Sequence, residues 1–196
     1  MASDTQIGKL ALQHLGDRYD IADLTEESVE AEQVNLIYAD TRAWLLRQHP
    51  WNFATKFATP TALTGTVPNN FDYMYIYMTD AVRVLNVVDP LDAGTVIEFE
   101  VARNSEDVKV ILTNQSTAEF KYTSLVTNPA SFDPEFTMAF SYALAAKMAM
   151  PLTGDRQIAG DLATQARNII NSAWETDSNE GLEDDQPDAD WIQARA

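Results

Sequence analysis

The chain has no cysteine among its 196 residues, an absence that removes disulfide frameworks, thiolate nucleophiles and thiolate metal sites. Histidine is almost missing too. His14 and His49 lie far apart with no ligand spacing near either, and both read as helix-end or packing residues. Basic residues are scarce, 13 against 30 acidic ones, for a net charge of −17. Such a chain repels nucleic acid and anionic membranes, which argues against binding DNA for affinity. No phosphate-binding glycine loop, nucleophile elbow or zinc-helix motif is present, so no cofactor and no metal is expected. The longest apolar run, Phe136 to Leu152, is short for a membrane span, contains Ser141 and Lys147, and is rich in alanine; it predicts a buried helix. Met1-Ala2-Ser3-Asp4 lacks the basic and apolar regions of a secretory signal. With the missing cysteines, this fits an intracellular place of assembly.

What is present is globular: hydrophobic residues make up 45% and aromatics 10%. A fold of this length buries roughly 70% of its unfolded surface, enough for a true core. Ser3 with Gln6 three residues on forms a capping box, followed by Ile7, Leu10, Ala11 and Leu15 at helical spacing and Gly16 as a stop. Gly8 inside this first helix costs about 1 kcal/mol relative to alanine, which points either to close packing by another backbone or to a marginal helix. A second helix runs from about Glu26 to Gln48, with Val34, Tyr38, Thr41 and Leu45 on its inner stripe and Asp40, Arg47 and Gln48 outside it. Some 20 residues make a strut about 30 Å long.

His49-Pro50-Trp51-Asn52-Phe53-Ala54 then breaks the pattern. Pro50 cannot continue a helix and pushes His49 out of the α region, while Trp51 and Phe53 supply the apolar area that fixes the exit direction. Trp51 reads as a core plug between the second helix and the β module, in preference to an interface hot spot. From 54 to 132 the period switches to two. Tyr73, Tyr75 and Tyr77 alternate with Met74, Ile76 and Met78. Ile97, Phe99 and Val101 alternate with Glu98, Glu100 and Ala102. Val108, Val110 and Leu112 share a face, Phe120 and Tyr122 another, and Val82 to Val88 adds a further strand. About six strands result, with turns at Pro68-Asn69-Asn70, Asp89-Pro90, Asn104-Ser105 and Asn114-Gln115-Ser116, as in an antiparallel sandwich or small barrel.

Asp133 before Pro134 starts a third helix as N-cap acceptor, and Pro151 ends it at Met150. Ala139, Ala143, Ala146 and Ala149 allow close approach of other helices, while Phe136, Phe140 and Leu144 fill volume. Thr153 caps a last helix with Ile158, Leu162, Ala166, Ile169 and Ala173 inward. The expected fold is therefore α+β: a discontinuous four-helix bundle from residues 1–53 and 133–178, an inserted antiparallel β domain over 54–132, and an extended acidic C-terminal tail over 179–196. Trp191 and Ile192 near the end of that tail suggest that it docks, because an isolated acidic segment has no use for a large anchor.

Two features invite a chemical reading. Glu98 and Glu100 share a strand face, and paired carboxylates can serve glycoside hydrolysis. Their alternation with apolar residues is, however, what any half-exposed strand shows. Asp184-Asp185 and Asp188-x-Asp190 lack the glycine and distal glutamate of a calcium loop and read as a solvated charge run.

Taken in order, several segments resemble a known family. They are Asp23-Leu24-Thr25-Glu26-Glu27-Ser28, then Tyr38, Arg42 and Leu45-Leu46, then Pro50-Trp51-Asn52-Phe53-Ala54. They continue with Tyr122-Thr123, Asn128-Pro129 through Phe132-Asp133, Pro151-Leu152-Thr153, and Trp191-Ile192-Gln193-Ala194-Arg195. The series is similar to tail tubular protein A, the head-to-tail adaptor of short-tailed bacteriophages (podoviruses). It spans nearly the whole chain, although from about 60 to 118 it rests on the strand pattern alone. The resemblance implies a structural virion protein of the tail, without catalysis, that forms a dodecamer ring. The ring would join the portal protein to the tail nozzle, tail tubular protein B, and DNA would cross its channel on ejection without specific binding. It also implies subunit or partner contacts through Trp191, Ile192 and Arg195. The rival reading is a tail-associated polysaccharide hydrolase working through Glu98 and Glu100.

Overall fold

The computed structural model describes residues 2–179 except Asp17, Asn69, Pro90 and Leu91. Its chain order is α1 (Asp4–Gln13), α2 (Val29–Gln48), seven strands, α3 (Pro134–Thr153) and α4 (Arg156–Asn179). The strands are β1 (Thr55–Ala58), β2 (Tyr73–Ile76), β3 (Ala81–Asp89), β4 (Asp92–Ile97), β5 (Phe99–Arg103), β6 (Lys109–Thr113) and β7 (Glu119–Ser124). The protein is thus mixed α+β. The acidic tail with Trp191, Ile192 and Arg195 lies outside the described residues.

Helix α1 begins on the expected capping box. Ser3 Oγ accepts the Gln6 N–H and Gln6 Oε1 accepts the Ser3 N–H, both at 3.1 Å. Ile7, Ala11 and Leu12 are fully buried, whereas Leu10 faces outward. A Cβ at Gly8 would stand 3.2 Å from both Leu24 Cδ2 and Val34 Cγ1, so side chains, not another backbone, crowd that glycine. Helix α2 starts at Val29 behind Ser28, whose Oγ accepts the Ala31 N–H, three residues later than expected. The preceding Asp23-Leu24-Thr25-Glu26 segment is engaged otherwise. Asp23 Oδ1 accepts the Thr25 amide and hydroxyl, and Glu26 Oε2 accepts the Ala22 N–H.

Helix α3 is the centre of the helical part and lies against α1, α2 and α4. Phe136, Ala139, Phe140, Ala143, Leu144, Ala145, Met148 and Ala149 are buried around much of its circumference. Its start differs in one detail from the expectation: the Asp133 carbonyl, not its side chain, takes the first-turn donor, Thr137 N–H, at 2.9 Å. Its end differs more. The helix passes through Pro151 to Thr153 and stops at Gly154, in the left-handed region at φ 72°. Proline costs one intrahelical bond there. Tyr19 hydroxyl caps the Leu152 carbonyl at 2.8 Å and the Gly154 N–H closes on Met150, so the last turn is held from elsewhere in the chain. Asp155, not Thr153, caps α4: its Oδ1 accepts the Gln157 and Ile158 N–H groups. Thr153 instead donates to the Ala149 carbonyl and accepts the Asp155 N–H.

The strands form two antiparallel sheets, one in the order β1-β7-β3-β4 and one in the order β2-β6-β5. Both orders are open, so the small-barrel alternative is not what the chain builds. The expected single strand around 97 to 102 is two strands. β4 pairs with β3 in the first sheet and β5 with β6 in the second, and Glu98 is the one residue between them. A chain that changes sheets in one residue makes a corner. One buried cluster draws on both sheets: Tyr75 and Ile111 from the second, Val84, Val87, Phe120 and Tyr122 from the first. Met74, Val110 and Leu112, on the other face of the second sheet, are covered by Leu63, Val67 and Phe71. The neighbours Met74 and Tyr75 of β2 are therefore buried on opposite faces, which is why both carry large hydrophobic side chains.

Candidate functional site

The junction at the end of α2 is built by local rules and then locked by distant partners. His49 turns extended at φ −136° and ψ 146°, a short 3₁₀ turn follows at Asn52–Ala54, and β1 begins at Thr55. Trp51 is fully buried and its indole N–H donates to the Leu45 carbonyl at 3.2 Å. Its ring meets Phe136 edge-on at 5.1 Å and Phe53 at 6.1 Å, and Phe53 in turn meets Phe132 and Phe136. The plug therefore fits between α2 and α3; its aromatic neighbours come from α3 and the junction itself instead of from a strand. Pro50 beside it is half-buried. Three further bonds tie the helices to the β part: Arg47 Nη1 to the Val82 carbonyl at 2.9 Å, Arg42 Nη1 to the Thr127 carbonyl at 3.5 Å, and buried Ser124 Oγ to the Ala54 carbonyl at 2.9 Å.

Helix α2 also carries exposed apolar side chains, set among charged ones. Val29 and Leu36 are 62% and 71% exposed on the side opposite the buried Val34, Tyr38, Thr41 and Leu45, where Glu32, Asp40 and Arg47 are exposed too; Trp44, 43% exposed, lies about a quarter-turn from the buried stripe. Exposed apolar side chains on a rigid strut are available for a protein contact. At its C-terminal end the helix borders a groove of about 290 Å³ against α4. Trp44 and Gln48, four apart, form one wall; Arg167, Ile170, Asn171 and Trp174, at helical spacing along α4, form the other. His49 closes the end, its ring 6.0 Å from that of Trp174.

One cation, Arg167, lines the groove, and a second, Lys147, lies near its Trp44 wall. Lys147 Nζ donates to Thr41 Oγ1 at 2.9 Å and lies 5.6 Å from the centre of the Trp44 ring. Arg167 donates to the Ala163 carbonyl and to Thr164 Oγ1. All these acceptors are neutral, so the bonds orient the charges without neutralising them. Trp44, Arg167 and Trp174 were not singled out by sequence pattern. The usable signal was a tryptophan on each helix, off the stripe that packs the core.

The other candidates stand apart. Glu98 sits at the corner between sheets, where its carbonyl accepts the Thr113 hydroxyl at 2.9 Å, and Glu100 lies on β5. Glu98 lies outside both strands, so the pair does not sit on one strand as expected, although both residues are exposed. His14 caps the end of α1 and stacks on Tyr142 with centroids 3.8 Å apart. Its Nε2 stands 3.0 Å from Ser141 Oγ, and since that hydroxyl donates to the Met138 carbonyl, Nε2 is the donor. Burial lowers the His14 pKa below 6.5. Among the described residues no group of three histidine or acidic side chains could hold a metal, and no helix is long and apolar enough to cross a membrane.

No protein-family model matches the chain, and no curated protein matches it significantly.

Proposed function

We propose that this protein is a head-to-tail adaptor of the tail tubular protein A type, a non-enzymatic component of a virion tail. Twelve copies would form a ring that joins a portal protein to a tail nozzle and leaves a channel for DNA ejection. The observation that carries the reading is the set of apolar side chains, Val29, Leu36 and Trp44, left exposed on a 20-residue helix whose buried stripe is fully engaged. A rigid strut with exposed apolar side chains is suited to pack against a neighbouring copy. On this reading the four helices close as a bundle around α3, and the two sheets stack as a sandwich over their shared cluster of Tyr75, Ile111 and Phe120.

Charge supports the same role. Twelve chains would carry roughly two hundred negative charges, and a lumen lined by part of them would repel phosphates and keep DNA from sticking. The tail with Trp191, Ile192 and Arg195 would strap onto a neighbour or the portal. The test is electron microscopy of the chain mixed with a portal ring from a short-tailed phage that carries it. Annular particles of the chain seated on the portal support the proposal; their absence across a range of salt concentrations overturns it. The hydrolase alternative has less behind it, since the Glu98 and Glu100 pair that suggested it is divided by the corner between sheets.

A further inference from the structure

The groove between α2 and α4 has a shape and charge that the rest of this same chain can satisfy. It is aromatic on both walls, from Trp44 and from Trp174, the latter 60% exposed; Arg167 lines it, and Lys147 lies 5.6 Å from the Trp44 ring. At about 290 Å³ it is at the small end of ligand pockets, the size for one large side chain. Beyond Asn179 the sequence carries Glu180, Glu183, Asp184, Asp185, Asp188 and Asp190, then Trp191 and Ile192. An aromatic anchor preceded by acids matches aromatic walls with cations beside them.

We infer that the groove is the receptor for Trp191 of the same chain, and that the isolated protein folds its own C-terminal segment back onto it. Reach favours this occupant over a second copy. Trp174 lies five residues before the end of α4, about 7.5 Å along the helix axis. The eleven residues from 180 to 190 span at most about 40 Å. A segment tethered that close acts at an effective concentration on the order of millimolar, far above that of another molecule in dilute solution. Asp188 and Asp190, next to the anchor, would come near Arg167 on the groove wall. In a ring the same anchor could exchange into a neighbour's groove; that step rests on the adaptor reading, whereas the intrachain contact does not.

The absence of cysteine makes the test clean. In the full chain, Asn171→Cys with Gln193→Cys places one thiol on the groove wall and one beside the anchor. Mild oxidation at low protein concentration should give an intramolecular disulfide, seen as a faster band without reductant at monomer mass. Adding Trp191→Ala or Arg167→Glu should slow its formation at least ten-fold, and pairing Gln193→Cys with Leu36→Cys, away from the groove, should give little. Failure to form the bond, equal formation with Trp191→Ala, or a product of dimer mass alone would each overturn the inference, the last assigning the groove to a second copy. An intramolecular bond in a chain that never forms rings on a portal would leave this contact standing and remove the adaptor reading.

Discussion

Replacing Trp51 with alanine removes a side chain with no exposed surface, together with its bond to the Leu45 carbonyl and its edge contact with Phe136. A cavity of that size costs about 3–5 kcal/mol, and urea unfolding should show it as a lower midpoint with little change of slope. Trp174→Ala, at an exposed position, should move the same midpoint by less than about 0.5 kcal/mol. A large loss at Trp174 would mean that it is part of the core. His14 gives a pH dependence of definite sign. Burial lowers its folded pKa below 6.5, so the unfolded chain binds the proton more readily. Its contribution therefore falls as pH drops below about 6.5, and denaturation midpoints between pH 7 and 5 should decline less steeply in His14→Gln.

At the scale of elements, caps and corners decide where helices and strands stop. The α1 capping box was legible because both partners are local, Ser3 and Gln6. The end of α3 was not, because the Leu152 carbonyl is held by Tyr19 from 133 residues away. Proline penalties are local; compensation for them is not. The cap of α4 moves from Thr153 to Asp155 for a related reason, since the extra turn of α3 carries Thr153 within reach of the Ala149 carbonyl. Asp155→Ala should cost about 1 kcal/mol in thermal or urea unfolding, whereas an equal or larger loss from Thr153→Val alone would return the cap to Thr153. The corner at Glu98 shows the same limit in the sheets. Alternation from 97 to 102 is continuous in sequence, and only the partners β3 and β6 show that two sheets share it.

Across the whole molecule charge governs how copies meet. At −17 they repel one another, and the repulsion is felt over a Debye length of about 30 Å at 0.01 M salt but only about 8 Å at 0.15 M. The isolated protein should be monomeric by light scattering at low ionic strength, and association should strengthen with salt or on a portal template. A stable dodecamer at 0.01 M salt would show that apolar contact through the exposed side chains of α2 outweighs the repulsion.

Sequence alone determined what depends on near neighbours or on composition: the helical stripes, the switch of period after Ala54, the break at Pro50, and the net charge of −17. Tertiary structure decided what depends on chain segments far apart. It set the corner at Glu98, the passage of α3 through Pro151, the placing of Trp51 against α3, and the groove that brings Trp44 and Trp174 together. The reason is range: capping, periodicity and proline sterics act over about four residues, whereas burial and cross-strand pairing are fixed only when distant surfaces meet.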